Sequence, residues 1–342
     1  MTRHLRVIEA GPAVTLQDLG RSGYIAQGLT RGGAMDRRAL YEGAALLGQR
    51  VSAAIEMIGY GGAFEFSQAT RIALTGAPMQ VSLDGATLSW NASHAVPAGA
   101  TLALGGVRAG AVGYLHIGGG FDVPTLMGSV SAHLAAGLGT ILTPGTTLPL
   151  GCDTDDKSGL LLPQHARFAG GSIRIVRSHQ THVFGESTLA RFLNTTFTRD
   201  ARANRQGIRM TPDGDGFAAE GGLSVVSEII APGDIQITGD GAPYVLMCES
   251  QTTGGYPRLA TVIPSDLPKV AQAPLGAQIR FELLDMDAAV DIEQRANAQL
   301  QALPAACQPL VRNPLQMQDL LGYTLISGVV DAHANPFERG PS

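Results

Sequence analysis

Glycine constrains the fold of this chain more than any other feature of its sequence. Of the 342 residues, 44 are glycine, and they divide the sequence into short apolar runs. Glycine inside a helix costs about 1 kcal/mol relative to alanine, whereas short apolar runs bounded by glycine are typical of strands joined by tight turns. Since 44% of the residues are hydrophobic and only 15% are charged, the chain can bury a sizeable core. We therefore predict a mainly β protein with a few helices, arranged as two β-rich domains.

Two turn signals predict β-hairpins, one in each half of the chain. Asp84-Gly85 separates the alternating runs 79–83 and 86–90, and Asp-Gly between such runs is a strong hairpin signal. Gly239-Asp240-Gly241 separates 235–237 from 244–247 in the same way.

Helical periodicity is confined to a few segments. Asp36 can cap a helix that ends at Gly48, and a short helix is expected near Ser187. Residues 286–303 predict an amphipathic helix, whose apolar stripe could dock a partner or pack on its own domain. The stripe consists of Ala289, Ile292, Ala296, Leu300 and Leu303.

A polar stretch at 151–159 predicts a linker or surface loop. We therefore expect an N-terminal β-rich domain over 1–150, a C-terminal β-rich domain over 171–285, and an amphipathic helix with a tail over 286–342.

Composition excludes several classes of protein. The formal net charge of −5 argues against nucleic-acid binding, and no apolar run is long enough to predict a membrane span. Three widely separated cysteines and the lack of a signal-peptide pattern predict a cytoplasmic protein. His179 and His182 lack a third ligand nearby, so we predict no metal site.

Three polar segments predict functional sites. In the first, Gln17, Asp18 and Arg21 lie beside glycines that allow a ligand close to the backbone. Asp18 and Arg21 could instead simply pair at the surface. Asp36 follows this segment, and its role could be limited to capping the next helix.

The second segment carries Arg205 and Arg209 around Gly207. On a strand, these three residues share one face, and two guanidinium groups flanking a glycine suit a carboxylate or phosphate. Alternatively, both arginines pair with acids on a neighbouring strand.

The third segment is the loop Gln251, Thr252, Thr253, Gly254, Gly255, Tyr256 and Pro257. Its backbone N–H groups could converge on an anion. A tight turn between strands explains the glycines and the proline, but not the three polar side chains before them. This loop is the strongest site that the residues alone predict.

Taken together, these segments resemble the C-type subunit of the bacterial ATP-dependent 5-oxoprolinase, a family also called KipA-like, allophanate hydrolase subunit 2-like or biotin-dependent carboxyltransferase. The resemblance covers about residues 5–285. It rests on Gln-Asp-Leu-Gly-Arg at 17–21, Gly-Ala-Met-Asp at 33–36, Thr-Gly-Ala at 75–77, Gly-Gly-Gly-Phe-Asp-Val-Pro at 118–124, Asn-Arg-Gln-Gly-Ile-Arg at 204–209 and Gln-Thr-Thr-Gly-Gly-Tyr-Pro at 251–257.

The resemblance implies a cyclophilin-like β-barrel and the ATP-driven opening of the 5-oxoproline lactam to glutamate. It implies two partners, which are a homologous KipI-like protein and a LamB/YcsF-type protein. ATP and Mg would be shared among the subunits, and any biotin would be carried by another protein. Alternatives are half of a urea-type carboxyltransferase and a non-enzymatic regulator of a KipI-like partner.

The resemblance also suggests roles for individual residues. Asp18, Arg205 and Arg209 would be catalytic or anion-binding, and Asp18 and Glu249 are candidate bases. Substrate would contact Gln17, Arg21 and the 251–256 loop. The chain departs from the family pattern at Ser131-Ala132-His133. The family usually has Ser-Thr-Asp there, followed by a loop that contains an arginine, and this chain has no arginine in the corresponding region.

Overall fold

The computed structural model describes residues 3–219 and 226–311, and strands dominate it. The strands of the first half are β1 (His4–Ala10), β2 (Thr15–Gln17), β3 (Ala54–Ile58), β4 (Tyr60–Phe66), β5 (Thr70–Gly76), β6 (Met79–Leu83), β7 (Ala86–Thr87), β8 (Ala92–Val96), β9 (Thr101–Val107), β10 (Val112–Ile117), β11 (Thr147–Pro149) and β12 (Leu160–Leu161). Those of the second half are β13 (Gly171–Arg177), β14 (Phe197–Ala203), β15 (Gly207–Pro212), β16 (Glu228–Ile229), β17 (Asp234–Ile237), β18 (Pro243–Leu246), β19 (Thr253–Gly254), β20 (Arg258–Val262), β21 (Gln278–Leu283) and β22 (Gln308–Pro309). The α-helices are α1 (Arg37–Leu47), α2 (Gly185–Asn194), α3 (Leu267–Gln272) and α4 (Met286–Ala306).

The first half folds into two sheets with a shared apolar core. A six-stranded sheet has the order β11-β1-β4-β9-β6-β7, and a seven-stranded sheet has the order β2-β3-β10-β5-β8-β12-β22. Leu5 and Phe64 from the first sheet pack with Ile55 and Leu115 from the second, and all four are fully buried. Alternation along each strand directs one set of side chains into this core.

The second half forms a closed barrel with the order β13-β20-β17-β18-β15-β14-β21. A parallel pairing of β13 with β21 closes it. Phe192, Phe197, Phe217 and Phe281 pack inside, with ring centroids 5.0–5.9 Å apart, a spacing that favours aromatic pairs. The predicted mainly β fold with a few helices and a β-barrel is confirmed.

Local signals in the sequence identify α1 and both hairpins. The Asp36 carboxylate accepts a hydrogen bond from the Ala39 N–H, and Gly48 ends α1 in a left-handed conformation. Strands β6 and β7 pair across Asp84-Gly85, although β7 stops at Thr87. Strands β17 and β18 form the second hairpin, and α2 begins two residues before Ser187.

Helix α4 confirms the predicted amphipathic segment over 286–303. Its Leu300 and Leu303 join Leu46 and Tyr41 of α1 in one apolar cluster. Residues Gln308–Pro309 then pair with β12, in a sheet of the first half. The stripe therefore packs within the chain, against the apolar face of α1. The predicted tail beyond 311 lies outside the described residues.

A continuous buried cluster joins the two halves. Ala34, Met35 and Tyr114 of the first half pack in the same core as Ile208 and Met247 of the barrel.

Within residues 3–219 and 226–311, no helix is both long and apolar enough to cross a membrane.

Candidate active site

Arg205 lies buried where the two halves meet. Its Nε donates to Glu249 Oε1 at 2.5 Å, one Nη donates to Glu56, and the other donates to the Gly33 carbonyl at 2.6 Å. Burial lowers the pKa of Arg205, but Glu56 and Glu249 outweigh that effect and raise it. The guanidinium is therefore held between two carboxylates and connects the barrel to the first half.

Arg209 lies on β15 and faces a different set of acids. It donates to Asp200 and Asp240 at 2.7 Å, and to the Thr211 hydroxyl at 2.9 Å. Arg205 precedes β15, so the expectation that both arginines share one strand face around Gly207 was wrong. Each guanidinium has its own carboxylates, in line with the alternative of arginines that pair with nearby acids.

Asp18 anchors the segment 129–131 to the end of β2. Its carboxylate accepts hydrogen bonds from the Ser129 hydroxyl at 2.6 Å, the Ser131 hydroxyl at 2.5 Å, and the N–H groups of Val130 and Gly20. Burial raises its pKa, but these hydrogen bonds dominate and lower it. A carboxylate stabilised in this way is a weak proton acceptor.

Gln17 and Arg21 contact residues 131–132, next to the partners of Asp18, so the structure brings these three polar residues to one part of the chain. Gln17 Nε2 donates to the Ala132 carbonyl at 3.1 Å, and an Nη of Arg21 donates to the Ser131 carbonyl at 2.5 Å. Gln17 and Arg21 are 0% and 2% exposed. Surface pairing of Asp18 with Arg21 is therefore not what the structure shows.

His133 links this cluster to the barrel, a role that the sequence did not predict. The Thr30 hydroxyl donates to the Ser250 carbonyl at 2.9 Å, so it accepts from His133 Nε2 at 3.0 Å. His133 Nδ1 then accepts from the Ala136 N–H and lies 3.9 Å from Glu249 Oε2. Burial lowers the pKa of His133, which favours the neutral imidazole that this network assigns. The departure from the family pattern at 131–133 was the available signal.

Glu56 is a second residue of the candidate site that the sequence alone did not predict. It lies in the otherwise apolar strand β3 and is fully buried. It accepts from the Tyr114 hydroxyl at 2.6 Å, from the Met35 N–H at 2.9 Å, and from Arg205. A single carboxylate in an apolar strand was the signal, because a buried charge requires partners elsewhere in the fold.

The loop 251–257 lies at the edge of a cavity of about 590 Å³ on the barrel. Gln251 and Tyr256 line this cavity, whereas Thr253 and Gly254 form β19 and pair with β16. The Thr252 carbonyl accepts from the Ile230 N–H. Part of the loop backbone is thus used for strand pairing rather than for converging N–H groups.

Amides and hydroxyls supply most of the polar surface of this cavity. Ser250 lies at its wall, and its buried hydroxyl has no partner among the described residues. Such an unpaired buried group commonly marks a site for water or a ligand. The other polar lining residues are Arg202, Asn204, Gln206, Gln236, Thr238 and Tyr244.

No metal-binding cluster of three or more His, Cys, Asp or Glu side chains occurs in the part of the chain that the structure describes. His179 and His182 have ring centroids 6.5 Å apart, and His182 Nδ1 contacts the His179 carbonyl at 3.0 Å. The His182 ring is therefore hydrogen-bonded to the backbone of His179 within a local turn.

Comparison with known proteins gives several similarities, among them the following three. The chain is 32% identical to the 5-oxoprolinase C-type subunit of Escherichia coli, over 85% of its own length and 94% of that protein. It is 31% identical to the protein of the same name from Haemophilus influenzae, over 84% and 94%. The Kluyveromyces lactis urea carboxylase structure shares 25% identity and a TM-score of 0.77 over 91% of this chain, which spans 31% of that larger one.

The sequence profile described as carboxyltransferase domain, subdomain A and B, matches residues 27–283. This range includes Glu56, Arg205, Glu249 and the 251–257 loop. From this match and the similarity to both 5-oxoprolinase proteins, we conclude that the chain belongs to the carboxyltransferase subdomain A and B family.

Proposed function

We propose that this chain is the C-type subunit of an ATP-dependent 5-oxoprolinase, which opens the 5-oxoproline lactam to glutamate. Its partners in this complex would be a KipI-like protein and a LamB/YcsF-type protein. The similarity to two proteins that carry this subunit's name, over 94% of their length, supports the proposal. The observation that carries it is the cavity beside Gln251 and Tyr256, with the unpaired Ser250 hydroxyl in its wall.

In this proposal the cavity binds the small amide by hydrogen bonds. The side chains of Gln206, Gln236 and Gln251 offer both donors and acceptors, which suits a lactam with one N–H and one carbonyl. Arg202 at the rim supplies a positive charge for the substrate carboxylate, although it also contacts Asp200 at 3.2 Å. Orientation of the lactam is the contribution that these residues make.

The nucleotide is expected to come from the assembled complex. A lactam is a poor electrophile, and ATP would supply a phosphoryl group that activates its carbonyl oxygen. In this proposal magnesium is shared with the partner proteins, and we assign no step in phosphoryl transfer to the described residues of this chain. Arg205 and Glu249 instead hold the wall of the site in place, because their charged groups contact each other.

Reconstitution with the KipI-like and LamB/YcsF-type partners tests the proposal. The assay measures ATP-dependent glutamate release from 5-oxoproline by the whole complex. Gln251→Ala should lower kcat/KM roughly 5–30-fold, as expected for about 1–2 kcal/mol of lost hydrogen bonding. Gln278→Ala is the matched control, because Gln278 is exposed and does not line the cavity. A well-formed complex without turnover would refute the assignment.

A urea-type, biotin-dependent carboxyltransferase half is the second candidate. The match to a carboxyltransferase profile and the urea carboxylase fold favour it. In this case biotin would arrive on another protein, and a streptavidin-detectable partner should co-purify with the chain. Carboxyl transfer to a urea-like acceptor in the presence of that partner would favour this candidate over lactam opening.

A non-enzymatic role as a regulator of a KipI-like partner makes a different prediction. Tight association with that partner would then occur without ATP turnover, even when all three proteins of the complex are present. The reconstitution therefore separates this role from lactam opening, and the carboxyl-transfer assay with the biotin-carrying partner separates it from the second candidate.

A further inference from the structure

A second cleft lies away from the candidate active site, where α1 and α4 meet the barrel. It has a volume of about 390 Å³. One wall is α1, another is α4, and the floor is formed by residues 165–167 and the turn at 264–266. None of the lining residues belongs to the cavity beside the 251–257 loop.

Three buried polar atoms around this cleft have no partner among the described residues. They are Arg37 Nε, His165 Nδ1 and Ser265 Oγ. The backbone N–H of Ser265 is already used, since it donates to Glu293 Oε1 at 2.8 Å. Arg37 Nε and Ser265 Oγ are donors, and Nδ1 of a neutral histidine can be one. Buried donors normally have acceptors, so this arrangement lacks an acceptor-rich group.

The charges of the cleft point to a negatively charged group. Most of its cations have carboxylate partners: Arg167 binds Asp36 and Glu42, and Arg174 binds Asp266. Arg37 has no carboxylate within salt-bridge distance in the described part of the chain.

Arg38 pairs with Glu42, and Lys269 with Asp266. Of the acids, only Asp266 and Glu293 line the cleft, whereas Asp36 and Glu42 enter the charge balance as the partners of the lining residues Arg167 and Arg38. The cations Arg37, Arg38, Arg167, Arg174 and Lys269 thus outnumber the acids Asp36, Glu42, Asp266 and Glu293 by one. A monoanion would balance this charge, whereas a dianion would leave an excess of negative charge next to Asp266 and Glu293.

The remaining walls are apolar. Tyr41 on α1, Pro264 on the turn, and Ala296 and Leu300 on α4 line the cleft beside the polar atoms. A carbon skeleton of a few atoms could lie against them while its charged end faces Arg37. Inorganic ions lack such an apolar portion.

We propose that this cleft binds a small organic monocarboxylate, with Arg37 and Ser265 as donors to the carboxylate and Tyr41 and Leu300 against its apolar portion. This site is independent of the proposed lactam-opening function. Because the ligand would touch α1, α4 and the barrel turn together, its binding stabilises the contact between the two halves.

Calorimetric titration of the full chain with sodium butyrate at pH 7 tests the site, with sodium chloride at equal ionic strength as the reference. We expect saturable binding of butyrate. Arg37→Gln and Ser265→Ala should weaken it, Arg37→Gln about tenfold or more, as expected for a lost charge-assisted hydrogen bond. Arg280→Gln removes the same charge from an exposed arginine outside the cleft and should leave binding unchanged.

Nuclear magnetic resonance of the histidine side chains provides a second measurement. In the free protein, burial and the nearby Arg38 and Arg167 lower the pKa of His165 to about 4. A bound carboxylate should raise that pKa, because it favours the imidazolium form. Other buried histidines, such as His116, should not respond.

Three results would overturn the proposal: no saturable binding of butyrate, binding that Arg37→Gln and Ser265→Ala both leave intact, or tighter binding of inorganic phosphate than of butyrate. If Arg37→Gln fails to fold, Ser265→Ala decides the question, since it removes only a hydroxyl. Neither measurement uses enzymatic activity, so a failed 5-oxoprolinase assay would not affect the outcome.

Discussion

Removing the positive charge of Arg205 should destabilise both halves of the protein. Arg205→Met keeps much of the side-chain volume but leaves Glu56 and Glu249 without their guanidinium partner. Arg205, Glu56 and Glu249 are 5%, 0% and 2% exposed, so water cannot replace the lost contacts. Breaking a buried ion pair on one side typically costs about 3–5 kcal/mol.

This loss can be measured by thermal unfolding. With an unfolding entropy of about 2.1 cal/mol/K per residue, a loss of 3–5 kcal/mol in a chain of this size lowers Tm by about 4–7 °C. Trp90, the single tryptophan, lies in the first half, where its indole N–H donates to the Gly76 carbonyl. Its fluorescence should follow the lower Tm although the substitution is in the barrel, because Glu56 connects the halves through Arg205.

A charge-neutral variant provides the control. Arg205→Met combined with Glu56→Gln and Glu249→Gln removes all three charges together, and it should recover a large part of the lost stability. The reasoning would be refuted if Arg205→Met lowered Tm by less than about 1 °C. It would also be refuted if the neutral triple variant were no more stable than Arg205→Met alone.

Three further predictions concern single residues. Asp18→Asn should destabilise the protein by about 1–3 kcal/mol at pH 7. Because the folded-state pKa of Asp18 is lowered, the stabilising effect of the carboxylate is lost as the pH falls through that pKa. The unfolding free energies of wild type and variant, measured in urea, should therefore converge at low pH. His116 is buried with its pKa lowered to about 3, so its contribution to stability is complete above pH 6.5 and decreases by roughly 5 kcal/mol toward pH 3. His116→Gln should flatten the pH dependence of Tm over this interval, and an unchanged slope would contradict the reasoning. Gly254→Ala would place a Cβ 2.6 Å from Gln236 Nε2 and so displace a side chain that lines the cavity. It should raise KM for 5-oxoproline about tenfold or more in the reconstituted complex. The decrease in Tm should be smaller than the decrease caused by Arg205→Met.

Local signals in the sequence predicted the elements that depend on neighbouring residues. The Asp36 cap and Gly48 defined the ends of α1, and Asp84-Gly85 identified the turn of a hairpin. Gln251 and Tyr256 of the 251–257 loop line a cavity, and the binding of a ligand by this loop stays a prediction.

Contacts between distant residues could not be predicted in this way. The pairing of Arg205 with Glu56 depends on how the barrel docks against β3, which no local pattern encodes. Arg209 likewise finds Asp200 and Asp240 only after the barrel has closed. The sequence therefore drew attention to Arg205 and Arg209 but not to their carboxylate partners, and the arginine face expected for a strand through both residues does not exist.

The pairing of β22 with β12 has a consequence for biosynthesis and for proteolysis. Leu160 and Leu161 pair with Pro309 and Gln308, so during translation the edge of β12 remains uncovered until the entire barrel has been made. Unpaired sheet edges can pair with other chains, and the two-residue length of β12 keeps this uncovered edge short until β22 is made. In the folded protein, β22 is the last strand of the seven-stranded sheet, so residues that follow the barrel are hydrogen-bonded to the first half. A protease nick within 155–158 should therefore leave two fragments that migrate together in a native gel and separate only in denaturant.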